Sequence, residues 1–226
     1  MGPTDGRATL ADRPLPSAPH TGARVPLYGP LTYGGSADAE HVGSPEKGKL
    51  VSSLNKGIGK VLVTLKWDPS SFDEPDHDLD LVAGTFTADA PYGEPEYLVH
   101  FDSRSPDGTI TLNRESKTGQ GFGSDEMMTL EFDRLSETYG RVIVGVVIQQ
   151  GEDRKTFGDV ANTEVWISEE QQELCQSDFS EVAEATAATI GEFVRKETGE
   201  WEFQPYLRGF DADPETFGQT MGYAPA

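Results

Sequence analysis

Beyond Leu54 the chain is a succession of short apolar runs, each closed by a turn signal, and this punctuation constrains the fold more than any other feature. Val61-Leu62-Val63-Thr64-Leu65-Lys66-Trp67 is rich in β-branched residues and stops at Asp68-Pro69, as a strand entering a turn does. Asp78 to Phe86 follows, with Leu79, Leu81 and Ala83 on one face by period-two alternation. Tyr97 to Phe101 is a third run, closed by Ser105-Pro106-Asp107-Gly108. Ile110–Leu112, Met127–Phe132, Val142–Ile148, Thr163–Ile167 and Trp201–Phe203 complete the set. Many short strands with a turn between each pair read as an all-β sandwich. One segment, Phe179 to Arg195, is rich in Ala and Glu and reads as the single short helix or helical turn. Its Thr, Val and Gly191 leave part of it open to a strand reading.

Residues 1–50 have another texture. They hold seven of the fifteen prolines and eight of the twenty-five glycines, without helical or strand periodicity. Such a segment buries too little apolar surface to offset its own ordering entropy. It reads as an extended or disordered N-terminal arm, with residues 51–226 as the sandwich domain. Leu10, Leu15, Val25, Leu27, Tyr28, Leu31 and Tyr33 are spaced through the arm as anchors that a protein partner's surface would accept.

Charge narrows the partners. The formal net charge is −21, from 39 acidic against 18 basic side chains. Residues 1–50 carry five of each sign, so the whole excess lies beyond them. A polyanion is repelled by such a surface, which argues against nucleic acid and against anionic membrane surfaces. No run approaches the length of a membrane span, so no membrane insertion is expected, and the N-terminus lacks a signal-peptide pattern. With Cys175 the only cysteine and no intramolecular disulfide open to it, a cytoplasmic location is expected.

The densest chemistry lies in Asp73-Glu74-Pro75-Asp76-His77-Asp78-Leu79-Asp80. In an extended chain Asp78 and Asp80 point the same way, and two adjacent carboxylates repel unless a cation sits between them. Hard oxygen-seeking Ca²⁺ suits that pair; a solvated acidic turn is the plainer alternative. An EF-hand is excluded, because Leu81 stands where its glycine is required and Thr87 where its final glutamate is. A second acidic loop runs from Glu115 to Glu126, with Gly119, Gly121 and Gly123 between Glu115 and the Asp125-Glu126 pair. It does not read as a phosphate-binding loop, since no Lys-Ser/Thr pair follows. Enzymatic readings find no support. The four histidines lack metal-ligand spacing, His77 reads as an exposed imidazole among acids, and no nucleophile motif is present.

Taken in order, these segments resemble the TerD family, the calcium-binding domain of tellurium-resistance and stress-response clusters, over about Leu54 to Phe210. The resemblance is carried by Leu54-Asn55-Lys56-Gly57, Val63 to Asp68, Asp78-Leu79-Asp80, Ser105 to Gly108, Thr118-Gly119 and Asp125-Glu126. Phe157-Gly158-Asp159-Val160-Ala161-Asn162, Thr186-Ala187, Gly191-Glu192 and Trp201-Glu202-Phe203 continue it. It implies a two-sheet β-sandwich holding calcium near one end, with no known enzymatic activity. The ligand set implied here is Asp78, Asp80, Glu115, Asp125 and Glu126. The chain departs from the family where ions bind: Arg114-Glu115-Ser116 replaces Gly-Asp-Asn, and Phe122 and Ser124 stand where further Asp is common. One calcium site kept and a second weakened is the expectation. The rival expectation is a structural subunit or decoration protein of a larger assembly, a virion or other particle, attached through its N-terminal arm.

Overall fold

The structure is a computed structural model and describes residues 57–224; the expected arm, residues 1–50, lies outside them. Ten strands and one short α-helix follow in order: β1 Lys60–Lys66, β2 Leu79–Thr87, β3 Tyr97–Val99, β4 Ile110–Arg114, β5 Glu126–Glu131, β6 Tyr139–Ile148, β7 Glu164–Glu169, β8 Gln172–Ser177, β9 Ala187–Arg195, β10 Trp201–Phe210 and α1 Pro214–Thr220. They form two five-stranded antiparallel sheets, ordered β4-β5-β1-β7-β8 and β10-β9-β6-β2-β3. The all-β two-sheet sandwich expected from the strand spacing is therefore the observed fold.

Alternation accounts for the packing. Val61, Val63 and Leu65 of β1 and Met128 and Leu130 of β5 point inward and are fully buried, while their neighbours are partly solvated. In the other sheet β2 is buried on both sides. Leu79, Leu81 and Ala83 join the core between the sheets, whereas Val82 and Phe86 face outward into a second cluster with Val147, Phe217 and Met221. Helix α1 covers that outer face. Its start was signalled by Asp213, whose side chain accepts from Thr216 N at 2.8 Å, followed by Pro214 at the first helical position.

The helical reading of Phe179–Arg195 is corrected. Only Ser180–Val182 makes a 3-10 turn, and Ala187–Arg195 is the strand β9 between β6 and β10. Small side chains are needed there for sheet packing rather than for helix formation: a Cβ on Gly191 would stand 2.4 Å from the Phe203 ring. Strand β8, at the edge and largely polar, gave no alternation to read. Among the described residues no helix is long and apolar enough to cross a membrane.

Candidate functional site

Strand β1 ends, β5 begins and β2 begins at one end of the sandwich. The register Leu65↔Glu126 sets the first two side by side, and Asp125 N donates to Leu65 O at 2.8 Å. The β1–β2 loop folds back here, with Trp67 Nε1 donating to His77 O at 2.9 Å. The β4–β5 loop closes onto the same indole at Gly119, which adopts φ +64°; a Cβ there would lie 2.6 Å from Trp67 Nε1. Only glycine fits both the left-handed backbone and the contact.

Glu126 is the pivot. The alternation that buries Met128 and Leu130 also turns Glu126 inward, and it is fully buried. Its Oε2 accepts from Leu81 N on the opposite sheet at 2.5 Å. That N–H is free because β3 pairs only with Ala83–Thr85 of β2, leaving the start of β2 without a neighbour on that side. The other oxygen, Oε1, is buried with no hydrogen-bond partner among the described residues. Burial pushes the Glu126 carboxyl up to about 9, repulsion from Asp80, Glu115 and Asp78 adds to this, and only the Leu81 N–H opposes it.

The two β2 carboxylates share the strain. Asp80 is buried and accepts from Gln149 Nε2 at 2.6 Å; burial raises its carboxyl, that hydrogen bond opposes the rise, and Glu115 reinforces it. Asp78, half-buried, is raised to about 6 by burial first and then by Asp80, with Lys117 acting in the opposite direction. Four of the five expected ligands (Asp78, Asp80, Glu115 and Glu126) therefore lie within one another's field.

Asp125 stands apart. It is buried, its Oδ2 accepts from Trp67 N at 3.1 Å, and it is not among the leading charges acting on Asp78, Asp80 or Glu126. Glu115 is exposed on its loop, and Arg114 reaches Phe122 O at 3.5 Å. Among the described residues no three His, Cys, Asp or Glu side chains are grouped closely enough to enclose an ion. The donor chemistry nonetheless fits a hard cation: an orphaned buried carboxylate oxygen, repelled by neighbouring carboxylates, is what such an ion would relieve.

Two features at this end carry no signal in the sequence. His77 is not the exposed imidazole expected from its acidic neighbours: it is buried, both ring nitrogens lack partners among the described residues, and burial lowers its pKa, with Lys155 adding to the effect. The loops flanking the carboxylates also carry Phe72 and Phe122, both fully exposed.

The TerD domain profile matches residues 46–217. The chain belongs to the TerD family. The tellurium resistance protein TerD of Serratia marcescens is 30% identical over 165 residues, covering 71% of this chain and 85% of that protein. General stress protein 16U of Bacillus subtilis is 27% identical over 166 residues, covering 71% and 86%. A solved structure of a telluride resistance protein (TerD) homologue from Streptomyces coelicolor superposes with a TM-score of 0.73 at 56% identity, covering 75% of this TerD-family chain and 100% of that one. A second solved structure, of a protein of unknown function, gives 0.74 at 55% identity with the same coverage.

Proposed function

We propose that this TerD-family chain serves a stress-response or tellurium-resistance system as a non-enzymatic calcium-binding module. The observation that carries the reading is Glu126: a fully buried carboxylate, raised to about 9, with one oxygen lacking a hydrogen-bond partner and three further carboxylates nearby. Asp78, Asp80 and Glu126 would hold the ion, with Glu115 brought in by its glycine-bearing loop. A bound divalent ion supplies the positive charge that keeps these side chains ionised together. Asp125 fixes the end of β1 through Trp67 N and supports the site from outside it. The relatives named for tellurium resistance and general stress support the cellular role.

The test is a calcium titration of chelator-stripped protein by calorimetry, with a melting curve at each end. Binding raises the melting temperature through mass action, and Asp78→Asn with Asp80→Asn removes both the heat and the shift. A melting temperature indifferent to calcium in the unaltered protein refutes the reading.

Assembly into a larger particle is a second reading, favoured by Phe72 and Phe122. Two fully exposed phenylalanines on loops at the same end suit a protein contact. Phe72→Ser with Phe122→Ser, and separately removal of residues 1–50, should then abolish incorporation while leaving the melting temperature unchanged. Unaltered incorporation in both variants removes this reading.

A further inference from the structure

A cavity of about 380 Å³ opens on the outer face of the second sheet, where α1 leaves the start of β2 uncovered. Its walls are apolar: Val82 and Val147 from the sheet, Leu98 from β3, and Phe101, which is half exposed at the mouth. Asp80 also lines it, 3% exposed, with Oδ2 accepting from Gln149 Nε2. Glu215 of α1 stands at the rim, exposed.

The charged side chains in its lining, Asp80 and Glu215, are both acidic; Lys117 is not part of the lining, but its charge acts on Asp80 and lowers its carboxyl. Among the described residues no Lys or Arg side chain lines it. The remaining ionisable neighbour, His100, accepts Asp102 N–H on Nδ1 at 3.3 Å, so that nitrogen carries no proton. An apolar chamber of this size with a carboxylate in its wall, a second at its mouth and an aromatic ring between them has the makings of a site for a small organic cation. A metal ion would leave the apolar walls unused. A neutral apolar molecule would leave the Asp80 carboxylate unmet inside the cavity, and an anion would meet two carboxylates.

We propose that the cavity between α1 and the β2–β3 edge binds a primary ammonium group carried on a short apolar stem, with Asp80 receiving the ammonium and Val82, Leu98 and Val147 enclosing the stem. Glu215 and Phe101 hold the mouth. The walls owe nothing to the calcium reading, but Asp80 is common to both, so calcium and the ammonium ligand compete for one carboxylate.

The experiment is calorimetric titration of the full chain with n-hexylamine, ionised at neutral pH, against hexan-1-ol of the same length, first in chelator and then in saturating calcium. The amine binds the chelated protein, and the alcohol binds roughly tenfold more weakly or worse, because it lacks the charge-assisted hydrogen bond. Asp80→Asn removes the preference for the amine. Glu215→Gln, a surface change that leaves the fold intact, weakens amine binding about threefold, as expected for a rim charge. Equal affinity for amine and alcohol, or amine binding that survives Asp80→Asn, overturns the proposal. So does amine binding unchanged under calcium that itself binds. Calcium heat without amine heat removes the ammonium site and leaves the calcium reading intact. Amine heat without calcium heat does the reverse.

Discussion

Replacing Glu126 by Gln should stabilise the calcium-free protein, and the gain should depend on pH in a way that follows from the site. The carboxyl has an ordinary value of 4.5 and is raised to about 9 in the fold. Between those limits the folded state retains a proton that the unfolded chain has released, so folding draws protons from solution. The contribution of this group is full below pH 4.5 and is lost progressively as pH rises towards 9. At a slope of about 1.4 kcal/mol per pH unit, neutral pH lies far enough above the unfolded value to cost about 3 kcal/mol. Gln keeps an acceptor for Leu81 N–H and does not titrate, so it escapes this cost. For a domain of this size, the variant should melt roughly 6–12 °C higher at about pH 7 in chelator, with the gap closing towards about pH 5. The same variant should lose most of the calcium-dependent rise, having no charge to offer the ion. Melting curves across pH, with and without calcium, test both halves. A variant less stable than the parent at neutral pH, or a gap that does not change with pH, would show that Glu126 is satisfied in a way its burial and orphaned oxygen do not allow.

Two further substitutions probe the frame around the site. Gly119→Ala forces a side chain into a φ of +64° and against the Trp67 indole, and should cost about 1–3 kcal/mol from the backbone alone. An NMR shift of the Trp67 Nε1–H signal would report its displacement from His77 O; an unmoved signal and unchanged melting would refute the close approach. Arg141→Met breaks a buried pair in which Glu192 lies 2.6 Å away, and also frees the carbonyls of Pro91 and Gly222. The loss should be about 3–5 kcal/mol, with residues after α1 becoming susceptible to protease; removing Glu192 as well should recover part of it.

The fold was legible wherever one face of a strand meets the core and the other meets water. Val61, Val63 and Leu65 show it, as do Leu79, Leu81 and Ala83, because alternation is a local record of a global boundary. That record fails where both faces are covered or neither is. Strand β9 has Ala187 in one cluster and Ala188 in the other, so its composition resembled a helix although its neighbours make it a strand. Helix α1 carries a start signal in Asp213-Pro214, but its seven residues are too few to show a helical period. At the site, the Asp78–Asp80 pair followed from strand periodicity alone. The separation of Asp125 from Glu126 did not. It depends on Trp67 N lying beside one and Leu81 N beside the other, which only the pairing of distant strands decides. The burial of His77 was hidden for the same reason: five of the seven residues beside it between Asp73 and Asp80 are acidic in sequence, yet its side chain is buried.

The brevity of β3 reaches further than its three residues suggest. Had it continued alongside the start of β2, a main-chain carbonyl would have taken the Leu81 N–H, and a carboxylate would have had no reason to enter the interior. Lengthening that strand, with an apolar residue in place of Glu126, therefore removes the buried carboxyl that the calcium reading rests on and puts an ordinary rung of the sheet in its place. Under the calcium reading proposed above, such a protein would separate what the scaffold contributes from what the ion adds.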